Sequence, residues 1–181
     1  PEVVNRDAWE VIRLDGKDEV VGAVELSAEQ AASADLVFVT GDAQLLHFPA
    51  SLVRPQGRGA GGVAGVRLAP KASAVWFGVA DPADGVVVTV AGSSASLPGT
   101  DPGTVKVTRL TEYPAKGRAT AGVRCHKFLK GEDALLLAWV GPAPAVAAAA
   151  SGAPVELPPA DGRRDGSGGP AGQPIAAVAS R

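Results

Sequence analysis

Sulfur is nearly missing from this chain: Cys125 is the single cysteine of 181 residues, and there is no methionine. An intrachain disulfide framework and a cysteine-based zinc site are therefore excluded, and a reducing compartment, the cytoplasm, is the expected setting. Aromatic residues make up 4% of the chain, with one Tyr, four Phe and three Trp, and none is interleaved with basic residues in a stacking pattern. That argues against a platform for single-stranded nucleic acid. No run approaches the roughly 18 apolar residues needed to span a bilayer, because the Ala-rich stretch from Ala143 to Ala153 is broken by Pro144, Ser151 and Gly152. The chain is expected to be soluble, and its opening, Pro1-Glu2-Val3-Val4, reads as an internal or C-terminal piece of a longer protein.

What is present bounds the class. The composition is 46% hydrophobic and 20% charged, enough for a buried core, and 23 Gly with 15 Pro stays below collagen-like or linker-like levels. One compact unit is expected at this length. The net charge of -2 argues, at face value, against a dedicated nucleic-acid binder. Its distribution says otherwise: Pro1 to Leu36 carries nine acids and three bases, whereas Leu45 to Lys130 carries eleven bases and four acids. A basic middle is flanked by acidic ends, which are expected to weaken or tune binding of a polyanion without abolishing it.

Three stretches resemble one another. Val37-Phe38-Val39-Thr40 and Leu45 to Pro49 lead to Gln56-Gly57-Arg58; Val86 to Thr89 and Val105 to Thr108 lead to Lys116-Gly117-Arg118; Ala145 to Ala147 and Pro154 to Leu157 lead to Gly162-Arg163-Arg164. Each reads as strand, turn, strand and a loop bearing Gly and Arg. A second strand pair follows, in Val63 to Leu68 with Ala74 to Val79, and in Val123 to Leu129 with Ala134 to Val140; the same pair opens the chain as Trp9 to Leu14 and Glu19 to Leu26. Leu14, Leu68 and Leu129 match, giving spacings of 54 and 61 residues, the length of a four-stranded blade plus a loop. Asp15-Gly16, Gly41-Asp42 and Gly131-Glu132 are hairpin turns. Ser27 to Ala34 reads more simply as an expanded loop than as a helical turn, and Gly92 to Gly103 is a second long loop. In Val105 to Leu110, alternation places Val105, Val107 and Leu110 inward and Lys106 and Arg109 outward. The fold class is all-β: a propeller-like array of four-stranded antiparallel blades, about three of them. Residues 1–140 hold the blades, and 141–181 a degenerate last blade or a partly disordered tail.

The motif with most content is Gly-Arg-x-x-x-Gly-Val, at Gly57 to Val63 and Gly117 to Val123, each continued by an arginine, Arg67 or Arg124. A weaker copy keeps Arg164 and Gly168 but loses the valine. Glycines let backbone N–H groups approach an anion and arginine adds a cationic fork. Against this, glycines in such loops often serve only the backbone, and exposed arginines are commonly solvated. Repetition favours the functional reading, since like arginines would form a stripe along one rim.

These residues, with Gln44-Leu45-Leu46-His47-Phe48-Pro49 and Glu112-Tyr113-Pro114 leading to Lys116-Gly117-Arg118, resemble consecutive pieces of the C-terminal domain, the β-pinwheel, of bacterial type IIA topoisomerase A subunits. The resemblance runs from Asn5 to Val140, and the tail matches loosely. It implies a disk of blades whose basic rim binds and bends duplex DNA without reading sequence, beside a cleavage core carried elsewhere. It also implies, as partners, an ATPase B subunit together with the rest of the A subunit, and it implies a chromosome-associated location. The candidate DNA-binding residues are Arg54, Arg58, Arg67, Lys106, Arg109, Lys116, Arg118, Arg124 and Lys127, with Arg163 and Arg164 as weaker members. Gyrase and topoisomerase IV differ partly in a seven-residue box, Gln-Arg-Arg-Gly-Gly-Lys-Gly. The nearest stretch, Gln56 to Gly62, keeps Gln56, Arg58, Gly59 and Gly62 and lacks the second arginine and the lysine. The paralogue stays open, leaning toward a topoisomerase IV-like protein or a divergent gyrase.

No catalytic set is expected within the chain. Cys125 and His126 are neighbours on a strand, so they point to opposite faces and cannot act as nucleophile and base; Cys125 is expected to be buried. Tyr113 does not match the context of the family's DNA-cleaving tyrosine, which lies upstream. Asp18-Glu19 and Glu132-Asp133 read as solvated hairpin acids ahead of a metal pair. No Gly-x4-Gly-Lys-Ser/Thr loop occurs, so the chain is expected to need no cofactor while the parent enzyme uses ATP and Mg through other domains. A propeller-like protein-interaction scaffold without DNA binding is the alternative.

Overall fold

A computed structural model describes residues 11–57, 59–160 and 162–181. Its strands are β1 (Asp35–Thr40), β2 (Gln44–Pro49), β3 (Ala74–Ala80), β4 (Gly85–Gly92), β5 (Thr104–Arg109), β6 (Val123–Arg124), β7 (Ala134–Pro142), β8 (Ala145–Ala148), β9 (Pro154–Val155), β10 (Gly169–Pro170) and β11 (Ala177–Ser180). They form three antiparallel sheets, ordered β3-β1-β2-β6, β7-β4-β5-β10 and β11-β8-β9. The first two share one plan. A hairpin occupies the middle, a later strand of the same repeat flanks it, and the far edge is closed by a short strand arriving from the next repeat.

The hairpins form where β-branched residues cluster. The β1–β2 turn is shaped by its own polar groups: the Gln44 N–H donates to Thr40 Oγ1 at 3.1 Å, and Ala43 turns at φ 60°. The long loop after β4 is closed by Asp101, whose carboxylate accepts from the Ser93 and Gly103 N–H groups at 3.0 and 2.9 Å. Those hydrogen bonds hold the Asp101 carboxyl below its usual range.

The sheets stack face to face. Val37, Val39 and Leu45 of the first sheet pack on Val87, Ala91, Leu135 and Ala138 of the second, and the second sheet's other face, Val86, Val88, Val90, Val105 and Val107, packs on Leu157, Ile175 and Val178 of the third layer. The second sheet is thus covered on both sides, and every residue of β4 is buried. Three-ten turns after β2 (Ala50–Leu52) and β5 (Leu110–Glu112) align the repeats, equating Leu45 with Val105, Leu46 with Lys106, and His47 with Val107. Leu14, Leu68 and Leu129, the repeat markers, are 45%, 43% and 44% exposed, so they lie outside the core.

Several expectations are corrected. Ala28–Ser33 is a helix, α1, started by a capping box in which the Gln30 N–H donates to Ser27 Oγ and the Ser27 N–H to Gln30 Oε1. Val63 to Leu68 forms no strand, and of Val123 to Leu129 only Val123 and Arg124 do. Val11 to Leu14 and Glu19 to Leu26 form none either, while Trp9 and Glu10 lie outside the described residues. These segments cross between layers, so their backbone groups bond to loops: the Arg67 N–H reaches the Thr120 carbonyl at 3.0 Å. Cys125 is buried in the first interface, where burial pushes its thiol up to about 12 and leaves it inert.

His47 and Asp35 form a buried pair, Nδ1 to Oδ2 at 2.6 Å, and His47 Nε2 meets the Tyr113 carbonyl at 2.9 Å. The equivalent places in the second sheet are Val107 and Val86. A double variant, Asp35→Val with His47→Val, is therefore expected to cost less in urea denaturation than either single variant, each of which leaves a buried polar side chain without its partner at a cost of about 1–3 kcal/mol. A double variant at least as unstable as the sum of the singles would refute the equivalence.

Candidate nucleic-acid interface

The second and third crossover segments run along the β2-type strand of the preceding sheet, β2 and β5 respectively. In the second repeat the Lys116 N–H donates to the His47 carbonyl at 3.1 Å, β6 pairs with β2, and the Cys125 N–H donates to the Ala43 carbonyl at 2.9 Å. In the third, the Gly162 N–H donates to the Val107 carbonyl at 3.2 Å, β10 pairs with β5, and the Ala171 N–H donates to the Gly103 carbonyl at 3.1 Å. The register equates Lys116–Gly122 with Gly162–Gly168, and hence Arg118 with Arg164 and Gly122 with Gly168.

The closing glycines meet protein. A Cβ on Gly122, at φ 78°, would stand 2.3 Å from the Leu45 carbonyl oxygen, and one on Gly168 would stand 2.8 Å from that of Val105. Gly62 shares the conformation of Gly122, at φ 75°. Gly122 and Gly168 thus seat their crossovers on the neighbouring strand.

Arg54, Arg67, Arg109, Lys116, Arg118, Arg124, Lys127 and Arg163 are exposed and Arg164 is half-buried, while Arg58 lies outside the described residues. Arg54 and Arg118 line one groove of about 710 Å³, with Phe38, Phe48 and Phe77 at its apolar floor. The first two loops are tied together: Arg118 Nη1 donates to the Ala64 carbonyl at 2.6 Å, and the Ala119 N–H to that of Gly65 at 2.6 Å. The third loop meets the second repeat through the Lys127 N–H, which donates to the Gly166 carbonyl at 3.0 Å.

Lys106 is the exception. Both faces of its sheet are covered, so alternation does not turn it to solvent; it is 4% exposed and does not lie on the accessible rim. His126 is absent from the sequence-based candidates, yet it anchors the third loop. It is 1% exposed, and its Nε2 accepts the Gly168 N–H at 3.1 Å while Nδ1 meets Thr89 Oγ1 at 2.9 Å. Burial, then the nearby Lys106 charge, lower its pKa to about 4, so the ring is neutral at pH 7. The register also brings forward Gly162–Gly168, which reads Gly-Arg-Arg-Asp-Gly-Ser-Gly. It keeps both arginines of the seven-residue box, a signal that Gln56 to Gly62 lacks. No cluster of three or more metal-ligating side chains occurs among the described residues, and no helix there is long and apolar enough to cross a membrane.

Residues 34–81 and 99–136 match the family model described as the DNA gyrase C-terminal domain, beta-propeller. The topoisomerase subunit TopoM of Mycolicibacterium smegmatis is 38% identical over 105 residues, covering 58% of this chain and 14% of that protein. The DNA gyrase A protein of Dehalogenimonas lykanthroporepellens is 31% identical over 116 residues, covering 64% of this chain and 12% of that protein. The chain thus spans a small part of these relatives. In fold it is similar to the C-terminal domain of DNA topoisomerase IV, with a TM-score of 0.71 at 21% identity over 93% of this chain and 51% of the other. The DNA gyrase A C-terminal domain gives 0.58 at 13% identity over 86% and 51%. Stacked antiparallel blades with exchanged edge strands agree with that match: the matched residues, 34–81 and 99–136, belong to the DNA gyrase A C-terminal domain family.

Proposed function

We propose that this chain binds and bends duplex DNA for a type IIA topoisomerase, presenting it to a cleavage core on the rest of the A subunit. The reading rests on one observation: successive crossovers put arginines at one register, Arg118 and Arg164, beside Arg163, Lys116 and Lys127. Side chains so spaced neutralise phosphates, release counterions and hold a bent duplex without contacting base edges. ATP and Mg would be used by other domains and by a B subunit, and the location would be the chromosome.

A gel-shift titration with a duplex of about 100 base pairs tests this. Affinity is expected to fall about 10³-fold between roughly 50 and 200 mM salt, as for about six phosphate contacts. Arg58→Glu with Arg118→Glu should weaken binding further at either salt concentration, with melting monitored because Arg118 also ties the loops. Unchanged affinity in that variant rejects the rim and leaves a protein-interaction scaffold as the role of the blades.

A further inference from the structure

The third crossover is held from beneath by a buried cation. Lys106 Nζ donates to the carbonyl oxygens of Arg163, Arg164 and Gly166 at 2.9, 2.8 and 3.0 Å, which uses all three ammonium hydrogens. Its stem passes under Gly162, where a Cβ would stand 2.9 Å from Lys106 Cγ and 2.8 Å from the Val107 carbonyl. Burial is the main cause lowering its pKa to about 8, so it remains an ammonium at pH 7. An apolar residue suffices at the equivalent place under the second crossover, where Leu46 stands and Arg118 ties the loop sideways.

In a trans peptide the N–H points opposite its C=O. Three carbonyls drawn in to one ammonium therefore turn the N–H groups of Arg164, Asp165 and Ser167 outward, next to the Arg163 side chain. Peptide dipoles aligned this way carry the buried positive charge toward the surface. We propose that Lys106 is a positioning residue that shapes Arg163–Ser167 into a cradle for a phosphate-type oxyanion, supplied by the backbone of duplex DNA. The source of the anion rests on the DNA-binding reading; the cradle does not. Asp165 is the loop group that shares the anion's sign, and its carboxylate acts on the Lys106 ammonium.

Sulfate, whose charge is constant across the range used, is the probe. Titrated into the 181-residue chain at pH 7, it should shift the amide NMR signals of Arg164, Asp165 and Ser167. At pH 9.5, where Lys106 is neutral and the arginines are not, affinity should drop several-fold, and Asp165→Asn should raise it at pH 7. Lys106→Met should weaken sulfate at least tenfold with the sheet amides in place, and weaken duplex binding as much as Arg163→Ala with Arg164→Ala does. Equal sulfate affinity at the two pH values overturns the role of Lys106 even if the Met variant does not fold. A folded Met variant that loses sulfate but keeps full duplex affinity removes the cradle from DNA binding, and failure of the unaltered chain to bind duplex would reject the rim reading while leaving the cradle intact.

Discussion

Gly122→Ala is expected to lower the stability of the chain by about 3 kcal/mol, a fall of roughly 10 °C in melting temperature at this size. Two costs combine. The φ of 78° belongs to the left-handed region, which costs a residue with a Cβ roughly 1 kcal/mol. The larger one is the Leu45 carbonyl at 2.3 Å, a backbone atom of β2 that has no rotamer by which to withdraw. Relief requires the crossover to lift off, which breaks the β2–β6 pairing and uncovers Val123 and Cys125 at the interface of the first two sheets. Gly117, at the other end of the loop, has open space around the same hypothetical atom and no positive φ. Gly117→Ala should therefore stay within about 0.5 kcal/mol of the parent. Chemical denaturation of the two variants decides the matter: equal midpoints would mean that the glycines serve a ligand and not the seat of the loop.

That contrast shows which parts of the molecule are legible in the residues. Val86 to Val90 and Val105 to Thr108 announce strands because β-branched side chains suit a pleated surface wherever it is covered. The same covering hides the faces: in a stack of sheets β5 is buried on both sides, and alternation that would send Lys106 to solvent on a half-exposed strand sends it into a cage of carbonyls. Crossovers such as Val63 to Leu68 carry strand-like residues, but whether they pair depends on the neighbouring sheet's edge, which no local pattern encodes. Helix α1 is signalled by Ser27 and Gln30 three residues apart, a capping box that the simpler loop reading passes over. At the interface, Arg118 and Arg164 are visible as repeats. The role of His126 is not, because its partners Thr89 and Gly168 lie far from it along the chain.

Acid should weaken the third crossover through that histidine. Native His126 is held near 4, principally by burial, while an unfolded histidine titrates at 6.5. Between these values the unfolded state binds the extra proton, so stability falls as pH falls through that window and is unaffected by His126 above it. From pH 6.5 to 5, before most carboxylates titrate, the loss should reach about 1.5 kcal/mol, the slope rising from half toward the full value of roughly 1.36 kcal/mol per pH unit. Protonation also makes Nε2 a donor facing the Gly168 N–H, so the third crossover should open ahead of the sheets. Amide exchange at Gly168 measured against Val88 at pH 7 and 5 would show this. His126→Gln should flatten the stability slope between pH 6.5 and 5. Lys106→Met removes the second cause of the depression, so it should raise the native His126 pKa, narrow the window from below and reduce the total loss. An unchanged slope in His126→Gln would place the acid sensitivity elsewhere.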